Sequence, residues 1–291
     1  MEGMIPISGK TKLLAVIGSP VAHSQSPKIH NASFFRLGID AVYLAFDVTL
    51  ETLPTVAPAL KQMGLTGYNV TMPLKQAIME YMDELSDAAR LIGAVNTVAI
   101  RDGAAFGDNT DGRGFWRNCR EHSFEVQGKR VLVLGAGGAG SAVFVQAALE
   151  GASHVSVMNR RGANFQAAEE RARLVSEACG VPVSVLDIED EALFERECAL
   201  CDIVVNCTKV GMAPDTQGSL VPQSLMHPGM TVADIVYNPL CTKMIEDARA
   251  MGLNTVPGLG MLLWQGAIGE EVWFPGAKMD VEYISGLLDL E

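Results

Sequence analysis

Residues 128–142 read "GKRVLVLGAGGAGSA". A branched apolar run, "RVLVL", leads into Gly135, Gly137 and Gly140, and a small-residue helix pattern follows. The glycines meet the spacing G-x-G-x-x-G. That spacing is weak evidence alone and informative only between a strand and a helix, which is where it stands. Glycine lets the chain turn tightly and lets backbone approach a pyrophosphate. The helix N-terminus then offers free N–H groups and partial positive charge. The stretch predicts a Rossmann-type βαβ start and a dinucleotide ligand.

Working outward, the next strand pattern, "HVSVMN", runs over 154–159 and ends in Asn159, Arg160 and Arg161. NAD sites usually carry an acid there for the ribose hydroxyls. This chain has two guanidinium groups instead, and arginine pairs with a 2′-phosphate. NADP is therefore favoured over NAD. Further strands are expected at 13–18, 41–48, 94–100, 130–135, 181–187, 202–207 and 231–237, with helices between. The alternation predicts an α/β protein with largely parallel sheets. A polar, glycine-rich break, "DNTDGRGF", lies at 108–115 and marks a domain boundary. The late stretch "PGLGMLLWQGAI" is apolar on nearly every side and predicts a buried helix packed back on the first domain.

Bulk properties narrow the function. The 291 residues allow about two domains. A net charge of −12 disfavours nucleic acid and anionic membranes as partners. No apolar run is long enough to span a bilayer. The first residues show no signal-peptide pattern, so a cytoplasmic protein is expected. The six cysteines form no framework, and Cys198-x-x-Cys201 lacks a second pair, so it reads as two structural thiols. The five histidines show no ligand spacing and read as loop or surface residues; no metal site is expected.

The N-terminal half carries polar groups at predicted strand ends. In "HSQSPKIHNASFFRLG", Ser26 suits an N-cap, Pro27 the first helical turn and Gly38 the stop. Ser24 and Ser26 would then face an anion at a helix start. "NVTMPLK" (69–75), "AVNTV" (94–98) and "DNTDG" (108–112) supply Asn69, Thr71, Lys75, Asn96 and Asp111. Singly these are ordinary loop residues. Together they would line the crevice that parallel strands leave at their carboxyl ends.

Those stretches, with "HSQSP", "GAVNTV", "DNTDGRGF", "GAGGAG", "NRR", "TKVGM", "VYNP" and "GLGMLLWQGA", resemble the shikimate dehydrogenase family, most closely its quinate/shikimate branch. They occur in family order over nearly the whole chain. The resemblance implies two α/β domains with a cleft between them. A substrate-binding domain would take 1–111, completed by C-terminal helices in 256–291, and a doubly wound Rossmann domain would take 112–255. It implies NAD(P)-linked interconversion of shikimate and 3-dehydroshikimate, and also of quinate and 3-dehydroquinate. Lys75 and Asp111 match the catalytic pair. Ser24, Ser26 and Tyr237 match carboxylate-binding positions. Thr71, Asn96, Asp111 and Gln265 match groups that bind ring hydroxyls, and Tyr43 matches a substrate-contacting tyrosine. Cofactor contacts match Gly135, Ala136, Gly137, Gly138, Ala139, Asn159, Arg160, Arg161, Lys209, Val236 and Gly258. The chain departs from its relatives after "NRR", where it has Gly162 in place of Asp. The cofactor is thus NADP or NAD, the substrate a small carboxylate, and the assembly a monomer or homodimer. Quinate as main substrate, or a non-catalytic nucleotide-binding regulator, are the alternatives.

Overall fold

The structure is a computed structural model that describes residues 7–288. The outermost residues of the expected domain ranges, and the first six of the leader reading, lie outside the described residues. The chain divides into two compact units, one up to Thr110 together with the segment from Gln265, the other Asp111–Trp264.

The first unit begins β1 (Lys12–Gly18), α1 (Ser26–Leu37), β2 (Ala41–Asp47), α2 (Leu53–Gln62) and β3 (Gly67–Val70). It continues β4 (Glu84–Leu85), α3 (Asp87–Ile92), β5 (Thr97–Arg101) and β6 (Ala104–Asp108). The sheet order is β2-β1-β3-β5-β6-β4. The expected parallel pairing holds for β1 with β2 and β3, but β5 runs antiparallel to β3 and β6. For the β5–β6 pair the reason is a two-residue turn, Asp102-Gly103, with φ of 50° and 77°. Positive φ at both positions makes a hairpin turn, which reverses the chain without a crossover. Side chains of β1 alternate between two cores. Ala15 and Ile17 pack with Leu53, Leu60 and Tyr68, while Leu14 and Val16 pack with Phe34, Tyr43 and Trp273.

The second unit runs α4 (Asp111–Glu121), β7 (Arg130–Leu134), α5 (Gly138–Leu149), β8 (His154–Asn159), α6 (Ala163–Cys179) and β9 (Val183–Asp187). Then come α7 (Glu191–Leu200), β10 (Ile203–Asn206), β11 (Thr231–Asp234), α8 (Lys243–Ala250) and β12 (Asn254–Val256). Its sheet order, β12-β11-β10-β7-β8-β9, is all parallel. Counted within the unit this is 6-5-4-1-2-3, the doubly wound order of dinucleotide-binding folds. α5 is buried at every position from Gly140 to Ala148, as its alanine- and valine-rich sequence requires.

Several strands stop earlier than their apolar runs suggest. The runs at 202–207 and 231–237 pair only to Asn206 and Asp234. Asn206 Oδ1 accepts from Thr208 N–H (3.0 Å), and Asp234 Oδ1 from Val236 N–H (2.9 Å). A side chain that bonds the backbone two residues on turns the chain out of the sheet. β9 ends the same way, Asp187 Oδ1 accepting from Glu189 N–H at 3.1 Å.

α9 (Leu259–Trp273) is followed by α10 (Val281–Ser285). The C-terminal part of α9 packs on the first sheet. Trp273 Nε1 donates to Val98 O at 2.9 Å, and its indole covers Gly67, where an added Cβ would collide with the ring. One expectation fails here. His30 is no surface residue but is 1% exposed, its Nδ1 2.8 Å from Glu270 Oε1, with the Ser33 hydroxyl donating to Glu270 Oε2 at 2.6 Å. A buried carboxylate needs such partners. The periodicity of α1 hid the pair because the partner lies 240 positions away. No helix among the described residues is long and apolar enough to cross a membrane.

Candidate active site

In the second unit the carboxyl ends of β7, β8, β10 and β11 open on a cavity of about 990 Å³. Of the residues expected at the cofactor, Gly135, Ala136, Gly137, Ala139, Asn159, Arg160, Lys209 and Val236 line it. Gly138 opens α5 beside it. Arg161 faces a neighbouring cavity of about 490 Å³, shared with Asn159, Arg160, Gly162 and Glu189. Gly258 packs against the Ile235–Val236 backbone, where a Cβ would not fit. Tyr237, expected at the substrate carboxylate, lines the larger cavity and is exposed. Thr208, Met212 and Leu220 also line it. Sequence reading missed them because they follow no spacing, although Thr208 stands in the "TKVGM" stretch.

The turn itself fits a diphosphate. A Cβ on Gly140 would strike Gly135 O, so the turn closes only with glycine there. Cβ atoms on Gly137 or Gly138 would meet nothing within 4 Å, leaving open space over the helix start. No side chain caps that start, so its N–H groups remain for an anion. Asn159 Oδ1 accepts from Ala136 N–H (3.1 Å), tying the end of β8 to the turn.

In the first unit, "NVTMPLK" runs from the end of β3 into a loop held by backbone bonds. Thr71 N–H donates to Ile17 O (2.9 Å), Ser19 N–H to Met72 O (3.1 Å), Leu74 N–H to Thr71 O (3.0 Å) and Val95 N–H to Lys75 O (2.8 Å). Lys75 and Thr71 are half-buried on it. Ser26 is not the cap of α1: Gln25 takes that place in a helical conformation, and Ser26 opens the first turn beside Pro27. The Ser26 N–H reaches Ser24 Oγ at 3.3 Å, which keeps both hydroxyls at the helix start.

A polar chain joins three of the expected substrate groups of this unit, Tyr43, Asn96 and Gln265. The Tyr43 hydroxyl donates to Asn69 Oδ1 (2.6 Å), and Asn69 Nδ2 donates to Asn96 O and Thr97 Oγ1, both at 3.1 Å. Thr97 Oγ1 donates to Asn96 Oδ1 (2.9 Å), which also accepts from Thr110 N–H (2.8 Å). Asn96 Nδ2 lies 3.0 Å from Thr110 Oγ1 and 3.5 Å from Gln265 Oε1. Burial pushes the Tyr43 hydroxyl well above its ordinary pKa, against hydrogen bonds with Ser26 and Asn69 that pull it down. Tyr43 is thus a neutral donor inside the unit, fully buried. Asn69, expected in the crevice, and Thr97, which sequence reading left as a strand residue, are its links to Asn96. Asp111 is the first residue of α4, in the second unit.

Burial pushes the Cys198 thiol up to about 12 and raises Cys201 further. Cys201 Sγ contacts Cys198 O at 3.4 Å. Both are core thiols, as their isolated spacing suggests. Among the described residues no group of three or more His, Cys, Asp or Glu is placed to hold a metal.

A doubly wound parallel sheet, a glycine turn and a cavity at its strand ends define a dinucleotide-binding unit, joined in this chain to a second α/β unit rich in buried amides and hydroxyls. A family profile described as the shikimate dehydrogenase substrate binding domain matches residues 16–98. The chain is 41% identical to a shikimate dehydrogenase (NADP(+)) of Listeria monocytogenes, over 97% of each chain. It is 40% identical to a quinate/shikimate dehydrogenase of Escherichia coli, over 97% of this chain and 98% of the relative. A crystal structure of Listeria monocytogenes shikimate 5-dehydrogenase in complex with shikimate and NAD superposes with a TM-score of 0.94 at 40% identity, covering 97% of this chain and 98% of that one. The chain belongs to the shikimate dehydrogenase family.

Proposed function

We propose that this protein interconverts shikimate and 3-dehydroshikimate with NADP or NAD, and also accepts quinate. The supporting observation is the hydrogen-bonded chain from Tyr43 through Asn69 and Thr97 to Asn96 and Gln265. It holds amides and hydroxyls suited to a polyhydroxylated ring on the same unit as the Lys75 loop. The relatives' names give shikimate, quinate, NADP and NAD as the matching ligands.

In this reading Ser24, Ser26 and Tyr237 bind the substrate carboxylate, and Thr71, Asn96 and Gln265 bind its ring hydroxyls. Loss of hydride from a secondary alcohol also releases a proton. The Lys75 amine takes that proton, and Asp111 orients the amine, stabilises the ammonium that forms and accepts from a ring hydroxyl. A loop pinned at Thr71 and at the Lys75 carbonyl spends little entropy in presenting the amine. The glycine turn with Ala136–Ala139 holds the pyrophosphate; Asn159, Arg160 and Arg161 hold the adenosine ribose; Lys209, Val236 and Gly258 complete the site. When bound, the nicotinamide supplies the two-electron acceptor. The substrate domain takes 1–111 and 256–291 and the nucleotide domain 112–255. The enzyme works in the cytoplasm as a monomer or homodimer.

The test is a spectrophotometric assay of nicotinamide reduction with shikimate and with quinate against each cofactor. Nucleotide binding without turnover of either acid would instead favour a regulator. A larger kcat/KM for quinate would make that acid the main substrate.

A further inference from the structure

We infer that Asp187, at the end of β9, is a cofactor-specificity residue: by holding Arg161 it weakens the preference for a 2′-phosphate. The inference rests on the nucleotide site proposed above. β8 ends at Asn159 without an acid. In the parallel pairing of β8 with β9, Asn159 stands directly opposite Asp187. The acid missing from the ribose-recognition strand is therefore supplied one strand over, at the same level.

The pairing is specific. Arg161 Nε donates to Asp187 Oδ2 at 2.7 Å, and its guanidinium lies 5.1 Å from the centre of the Phe165 ring. The Asp187 side chain is 17% exposed and that of Arg161 74%. The other oxygen of Asp187 is fixed by Glu189 N–H at 3.1 Å. Arg160, Arg161 and Glu189 all line the 490 Å³ cavity. Two arginines beside Asp187 and Glu189 give a local charge near neutral, where the dipeptide alone suggests two free cations. A 2′-phosphate must draw Arg161 away from a carboxylate before it gains that contact. A 2′-hydroxyl meets no such cost. The arrangement suits use of both cofactors, and it accounts for NAD use despite the arginine pair.

The test measures nucleotide affinity in the intact protein, separately from turnover. NADP, NAD, adenosine 2′,5′-bisphosphate and ADP are titrated by calorimetry against the parent, Asp187→Asn, Arg161→Gln and the double variant. Asparagine keeps an acceptor for Glu189 N–H but releases the guanidinium. Asp187→Asn should tighten NADP and adenosine 2′,5′-bisphosphate on the order of fivefold, the scale of an exposed ion pair, and leave NAD and ADP unchanged. Arg161→Gln should cost the parent less than about twofold in NADP affinity but cancel the gain in the Asp187→Asn background. An unchanged NADP-to-NAD ratio in Asp187→Asn overturns the inference. Should that variant not fold, a loss of NADP affinity above about twofold in Arg161→Gln alone overturns it, and a smaller loss supports it. Binding of neither nucleotide by the parent would instead remove the dehydrogenase reading, and the inference with it.

Discussion

Asp234 shows how one side chain can shape a site and cost stability. Its Oδ1 accepts from Val236 N–H and from Asn206 Nδ2 (3.1 Å), and its Oδ2 from the Thr242 hydroxyl (2.7 Å). Burial pushes its pKa up to about 6, against these three bonds. A carboxyl raised above its unfolded value adds stability below that unfolded value, near 4, and loses it as pH rises through about 6. The ionised form at pH 8 therefore costs up to about 3 kcal/mol. Asp234→Asn keeps acceptors for Val236 and Asn206 and can donate to Thr242. Its melting temperature should exceed the parent's at pH 8, with the gap closing toward pH 5; a gap that widens on acidification would be contrary. At Lys75 the expectation is kinetic. Lys75→Ala should lower kcat by on the order of 10²–10⁴ with little change in substrate KM. A variant turning over at the parental rate would remove its role as base.

At the scale of elements, β7 to β11 of the dinucleotide sheet were legible as apolar runs, whereas β12 (Asn254–Val256), three residues with only Val256 buried, was not expected. The first sheet was less legible. β6 was not expected, although "RDGA" at 101–104 carries the Asp-Gly signal of a two-residue hairpin turn. The runs at 94–100 and 231–237 look longer than their strands because Asn96 and Asp234 turn their side chains onto backbone N–H groups, of Thr110 and Val236, which hydropathy does not register. Tyr43, Asn69 and Thr97 form one chain of bonds across β2, β3 and β5, and Asp187 meets Arg161 across β8 and β9. Such links follow from strand order and register, which no local pattern encodes. The seat of α9 is similar, and it can be tested. Gly67→Ala would push a Cβ into the Trp273 ring and strain the bond to Val98 O. It should destabilise the fold by about 1–3 kcal/mol, the usual penalty of overpacking, and shift the tryptophan emission. Parental stability in urea would show that α9 yields freely at this point.

For the whole molecule, a net charge of −12 must be reconciled with ligands that are all anions. Range decides the balance. At about 0.01 M salt the Debye length is ~30 Å, so the full negative field reaches an approaching carboxylate or nucleotide; at ~0.1 M it is ~10 Å. Adding salt in that first interval screens the distant acids and leaves the contacts proposed for Lys75, Lys209, Arg160 and the start of α5 largely intact. Further salt, toward ~1 M and a Debye length of ~3 Å, screens the contacts as well. KM for shikimate should therefore pass through a minimum near ~0.1 M salt rather than rise throughout. NADP should show a steeper rise above the minimum than NAD, since its 2′-phosphate adds charge where Arg160 lies. The measurement is a steady-state series at constant pH with a monovalent salt. A monotonic rise would mean that local cations dominate at every range, and a flat line would mean that neither field acts on the ligands.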